Sequence, residues 1–98
     1  MLKKIFTVFD HAAEAYLQPF FLDTAGQAIR TFTEAVNDPN HPFGKYPKDY
    51  TLFHIGTYDE SNGHFDSITP QPMGNALEYQ THQPSNVTQL PNSDKVGE

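Results

Sequence analysis

The sequence contains no cysteine, so disulfide scaffolds, thiolate metal sites and a cysteine nucleophile are excluded together. Positive charge is scarce as well: six Lys and Arg face twelve Asp and Glu, for a net charge of −6. A chain so charged repels phosphate backbones at long range, which argues against a general nucleic-acid coat and leaves only a local basic patch for that role. Long apolar runs are missing. The segment Met1 to Phe9 carries Lys3 and Lys4, but its apolar residues stop at Asp10, far short of a signal-peptide core or a membrane span. The expectation is a soluble, cytoplasmic chain with no membrane partner. Neither a Walker phosphate loop nor a dinucleotide fingerprint occurs, and no serine or threonine sits in a nucleophile elbow. No catalytic residue and no cofactor are therefore predicted.

What is present is aromatic. At 98 residues one domain is expected, and the low apolar share of 37% includes eight Phe and five Tyr, each of which removes a large area from water. The core should be small and built from rings. A domain of this size buries only about 60–65% of its unfolded surface, and pairing with a second copy is the simplest cover for apolar surface left over.

Periodicity gives an element order of strand, strand, helix, strand, strand. Lys3 to Asp10 is β-branched and aromatic with partial alternation and reads as a strand. Tyr16 to Leu22 is apolar but contains Pro19, which places it at an edge. Thr24 and Gln27 form a capping box that starts a helix at Ala25; Ala28, Ile29, Phe32, Ala35 and Val36 make its apolar stripe, and Asn37-Asp38-Pro39 ends it. From Asp38 to Lys48 three prolines and a glycine predict an ordered loop without regular structure, anchored by Phe43 and Tyr46. Asp49 to Tyr58 and His64 to Thr69 then form a hairpin around Asn62-Gly63, the second strand being stopped by Pro70 and Pro72. Met73 to Gln80 is too polar for more than a short turn of helix or a lone strand, and Thr81 to Glu98 is rich in Gln, Asn, Ser and Pro. The predicted fold is α+β: a four-stranded antiparallel sheet with one amphipathic helix on one face, in a single domain over residues 1–73, followed by a mostly irregular or disordered tail over 74–98. A single helix leaves the other face of the sheet to water or a partner.

Few constellations carry chemistry. The five histidines lack helical i,i+4 spacing, and the nearest pair, His54 and His64, could meet only across the hairpin, so no metal site is predicted. Asp59, Glu60 and Asp66 are read as a solvated turn, and the glycine-containing opening Thr24-Ala25-Gly26-Gln27 as a plain helix cap rather than an anion site. Candidate nucleic-acid contacts are Lys3, Lys4, Arg30, Lys45 and Lys48, with Phe43, Tyr46 and the strand aromatics available for stacking. Lys45-Tyr46-Pro47-Lys48 is the one stretch in which cations and an aromatic interleave; a solvated loop held by Tyr46 is the plainer reading of it.

Four segments taken together carry a family likeness: Glu14 to Phe21, Gln27 to Phe32 (Gln-Ala-Ile-Arg-Thr-Phe), Asn37-Asp38-Pro39, and Tyr50 to Asp59 (Tyr-Thr-Leu-Phe-His-Ile-Gly-Thr-Tyr-Asp). In that order and spacing, over roughly Lys3 to Met73, the chain resembles the small nonstructural protein of gokushovirus-type microviruses, which are single-stranded DNA phages. The resemblance implies a non-enzymatic early protein, often labelled DNA-binding, that works in the host cytoplasm on viral DNA synthesis or packaging and is absent from the mature virion. Carried onto this chain, it makes Arg30, Lys45 and Lys48 candidate phosphate contacts and single-stranded DNA or the viral replication complex the expected partner. The alternative expectation is a homodimeric interaction module that binds a phage or host replication protein without touching DNA.

Overall fold

The computed structural model describes residues 1–81 and is α+β, with strands β1 (Leu2–Asp10), β2 (Ala15–Tyr16), β3 (Phe20–Leu22), β4 (Tyr50–Asp59) and β5 (His64–Asn75). Helices α1 (Ala25–Val36), α2 (Pro42–Lys45) and α3 (Ala76–Tyr79), with a 3-10 turn over Pro47–Asp49, complete it. The sheet is antiparallel in the order β2-β1-β4-β5, with β3 also paired to β1. Since β4 takes one edge of β1, the two short strands share the other: Phe9 and Asp10 pair with β2, and Lys4 to Phe6 pair with β3.

Alternation along β1 decides what each face carries. Phe6 and Val8 point toward α1 and join Ala28, Phe32, Val36, Leu52 and Ala76 in the buried core. The helix contributes Ala28, Phe32 and Val36 at four-residue intervals, the apolar stripe expected from the sequence. Its start is also as expected, since the Gln27 amide donates to Thr24 Oγ1 at 3.1 Å, while the Gln27 carboxamide oxygen accepts from the Asp23 amide at 2.9 Å. At the other end Asn37 ties the helix to the last described turn: its Nδ2 donates to the Thr33 and Tyr79 carbonyls at 2.9 and 3.1 Å, and its Oδ1 accepts from the Thr81 amide at 2.9 Å.

Four expectations are corrected. The single edge strand Tyr16 to Leu22 is divided into β2 and β3, because Pro19 has no amide to give the ladder. The loop from Asp38 to Lys48 contains α2 and leads into the 3-10 turn, since Pro42 and Pro47 occupy first-turn positions where an absent N–H costs nothing and His41 Nδ1 caps α2 by accepting from the Phe43 amide at 3.1 Å. The returning strand runs through Pro70 and Pro72 to Asn75; β5 is the sheet's edge, where missing donors are tolerated. Residues 74–79 lie beyond the expected domain end at residue 73; they finish β5 and form α3, the short turn of helix expected within Met73 to Gln80, whose Asn75–Glu78 capping box and buried Ala76 fix it against α1. The ordered unit thus extends past residue 73, and the part of the expected tail from residue 82 onward lies outside the described residues. The possible His54–His64 pair is also absent: His54 is opposite Gln71, whereas His64 is opposite Asp59.

Ile55 is an extra residue in β4, since Ile5 pairs with Gly56 while Phe6 pairs with His54. Directly after it β5 crosses so close that a Cβ on Gly56 would collide with the carbonyl of Asp66. Gly56→Ala should therefore force β5 outward and cost about 1–3 kcal/mol, read as a fall in Tm of at least about 5 °C; an unchanged Tm would show that the two strands approach less closely. The hairpin turn carries a second readout. Asp59 accepts from the Ser61 hydroxyl at 2.6 Å and its amide at 2.9 Å, which holds the carboxyl below its ordinary value of 3.8. A lowered folded value means that this contribution is present above pH 3.8 and is lost as the pH falls through the folded value. The Ser61 amide resonance should titrate with a midpoint below 3.8, and a midpoint at or above it contradicts the capped turn.

Candidate functional site

The segment between α1 and β4 is held from below and bare above. Phe43 packs against Phe32 and Tyr50 with ring centroids 5.6 and 4.6 Å away, so it is committed to the core and not available for stacking on a base. The backbone is fastened at both ends: the Tyr46 amide donates to the Pro42 carbonyl at 2.8 Å, the Asp49 amide to the Tyr46 carbonyl at 3.0 Å, and Asn75 Nδ2 to the Lys48 carbonyl at 2.9 Å. On this frame Lys45 and Lys48 are exposed, and Tyr46 is 61% exposed with no ring partner among the described residues. Together with Pro47 and Asp49 they line a shallow cleft of about 230 Å³. Neither lysine is ion-paired among the described residues, although Asp49 brings one carboxylate to the cleft. A planar ring between two cations on a hydrogen-bonded turn is an arrangement that can take a stacked base with flanking phosphates.

The other candidate cations lie elsewhere. Lys3 donates to Asp23 Oδ1 at 2.6 Å, and that bond raises its pKa above the ordinary lysine value, so its charge is already matched. Lys3 pairs with Tyr58, whereas the Lys45–Lys48 corner leads into Tyr50, eight residues back along β4 and about 26 Å away at the usual strand rise. Lys4 is half-buried beside Lys3, and Arg30 lines a separate cleft with Thr24, Gly26 and Gln27 on the outer side of α1. Lys45, Tyr46 and Lys48 thus lie together on one corner, and Lys3, Lys4 and Arg30 are set apart from it. Among the described residues no three metal-ligating side chains come together. Three of the described histidines bond their neighbours: His11 Nε2 bonds Thr51 Oγ1 at 2.9 Å, His41 Nδ1 caps α2, and His54 Nε2 bonds the Gly56 carbonyl at 3.0 Å. No helix in the described residues is long and apolar enough to cross a membrane.

A second surface was not resolved by the sequence reading beyond an uncovered face. Opposite α1 the sheet carries two clusters of rings, one of Phe9, Tyr16 and Phe53 and one of Phe21, Tyr58 and Phe65, with centroids 4.7–6.5 Å apart. Between them runs an apolar groove over Ile55, in which one hollow of about 370 Å³ continues into another of about 290 Å³. Leu17 and Pro19 cross above Ile5 and Thr7 and bury both, while the Thr7 hydroxyl donates to the Leu17 carbonyl at 2.7 Å. The signal was in β1, where residues of both parities are apolar: Phe6 and Val8 serve the core, and Ile5 and Phe9 serve this face.

No curated protein and no solved structure matches the chain. The family model described as Phage ORF5 protein matches residues 3–79, which are nearly all of the described residues, from β1 through α3. The chain belongs to the Phage ORF5 protein family.

Proposed function

We propose that this phage protein is a non-enzymatic accessory factor that assists the synthesis or packaging of single-stranded viral DNA and contacts that DNA through Lys45, Tyr46 and Lys48. The observation that carries the reading is the corner itself: two exposed lysines flank an exposed tyrosine on a turn whose backbone is hydrogen-bonded on three sides. Its membership of a phage family and its likeness to the gokushovirus nonstructural protein support the same reading. Arg30, Lys3 and Lys4 are secondary contacts at most, being separated from the corner. The protein acts in the host cytoplasm and is not carried in the virion. With two phosphate-binding cations in a chain of net charge −6, affinity is low and salt-sensitive. A second reading, a protein-interaction module for a phage or host replication protein, is favoured by the aromatic face of the sheet.

Fluorescence anisotropy with a labelled single-stranded oligonucleotide tests the first reading. Micromolar binding is expected at low salt, and replacing Lys45 and Lys48 together by Gln should weaken it and reduce the slope of log affinity against log salt by about 1.4. Absence of binding at low salt removes direct DNA contact, and an unchanged slope removes the corner.

A further inference from the structure

We propose that the aromatic face of the sheet is the interface of a homodimer, in which two copies pack sheet to sheet around a two-fold axis with their helices outside. This rests on the face named in the second reading above, and it stands whether or not the Lys45–Lys48 corner contacts DNA.

The size of the face fits a second copy. Four strand lanes about 4.8 Å apart, with about 3.3 Å per residue along the nine residues of β1, make a surface of roughly 600 Å² before its side-chain ridges are counted. A standard interface buries about 800 Å² on each partner, so a sheet face of this extent is of the right order for one. A short peptide would cover the groove and leave Tyr16 and Phe65, which are 49% and 64% exposed, in water. A second sheet at the usual face-to-face spacing of about 10 Å covers both.

Charge and strand chemistry favour a second copy over the competing occupants. No cation lines the two hollows, and Lys3, which shares this side of β1 with Ile5 and pairs with Tyr58, is matched by Asp23 at 2.6 Å, so the face offers a nucleic-acid backbone no unpaired cation. An isologous contact requires a surface complementary to itself, and a neutral face of rings and aliphatic side chains is one. Edge-to-edge pairing is opposed by Pro70 and Pro72 in the exposed strand β5. In the face-to-face arrangement the Phe21–Phe65 ridge of each copy enters the other's groove over Ile55.

Analytical ultracentrifugation of the full chain at about 0.05 and 0.5 M NaCl tests this. The expected species is a dimer of about 22 kDa, twice the 11.1 kDa chain. Because each copy carries −6, its dissociation constant should fall as salt rises, opposite to the salt response of DNA binding. Phe65→Asp should raise that constant roughly thirtyfold or more while leaving the circular dichroism spectrum unchanged, since Phe65 is 64% exposed. Leu77→Asp, at an exposed apolar residue on α3, should leave it unaltered. A wild-type monomer at about 0.2 mM overturns the proposal. So does a dimer indifferent to Phe65→Asp and Ile68→Asp, and a monomer whose oligonucleotide binding is lost in Phe65→Asp gives the face to nucleic acid instead.

Discussion

Strand β1 has two apolar sides, and the helices of the described residues cover one of them. Phe6 and Val8 are sealed by Ala28, Phe32 and Val36 of α1, with Leu52 and Ala76 closing the ends. On the reverse side Ile5 and Thr7 are buried only because Leu17 and Pro19 cross above them, and beyond that short strap the rings of Phe9, Tyr16, Phe21 and Phe65 have no layer of their own. In a two-layer domain each apolar face must find a cover. The irregularity at Ile55 and Gly56 serves that reverse face. The extra residue Ile55 adds an aliphatic side chain to the groove, and Gly56 lets β5 close in beside it.

Much of this was legible in the chain. The Thr24–Gln27 capping box, the four-residue apolar interval of α1 and the Asn-Gly turn are local signals, each decided by residues within a few positions of one another, and they landed where expected. What could not be read depends on distant partners. Pro70 and Pro72 read as a strand stop because their tolerance depends on β5 having a neighbour on only one side, a fact of sheet order. Likewise Pro42 and Pro47 read as breakers because nothing local shows that they open helical turns. The packing of α3 depends on Asn37, more than forty positions earlier, and on the contact between Tyr79 and Phe32.

The candidate site divides in the same way. Lys45, Tyr46 and Lys48 are contiguous in sequence and so stay together in space, whereas Lys3, Lys4 and Arg30 were gathered by charge type alone and lie apart. The aromatic face was visible only as an inference from having one helix. Its two ring clusters draw on β1, β2, β3, β4 and β5 and cannot be assembled without the register. A dimer formed through that face would carry two Lys45–Lys48 corners on one particle, and two weak contacts on a single strand gain from their effective concentration. The small charge and small size of the single corner are then no obstacle to a role on viral DNA.

The central claim is that the reverse face of the sheet is covered in solution by its own copy. Nuclear Overhauser effects between a labelled and an unlabelled copy in a mixed sample measure this directly. The account predicts intermolecular contacts from the methyl groups of Ile55 and Ile68 to aromatic protons of the second copy, and none from Val36 or Ala76. Methyl groups at Ile55 and Ile68 that show only intramolecular contacts, at a concentration where the mass is dimeric, would contradict it.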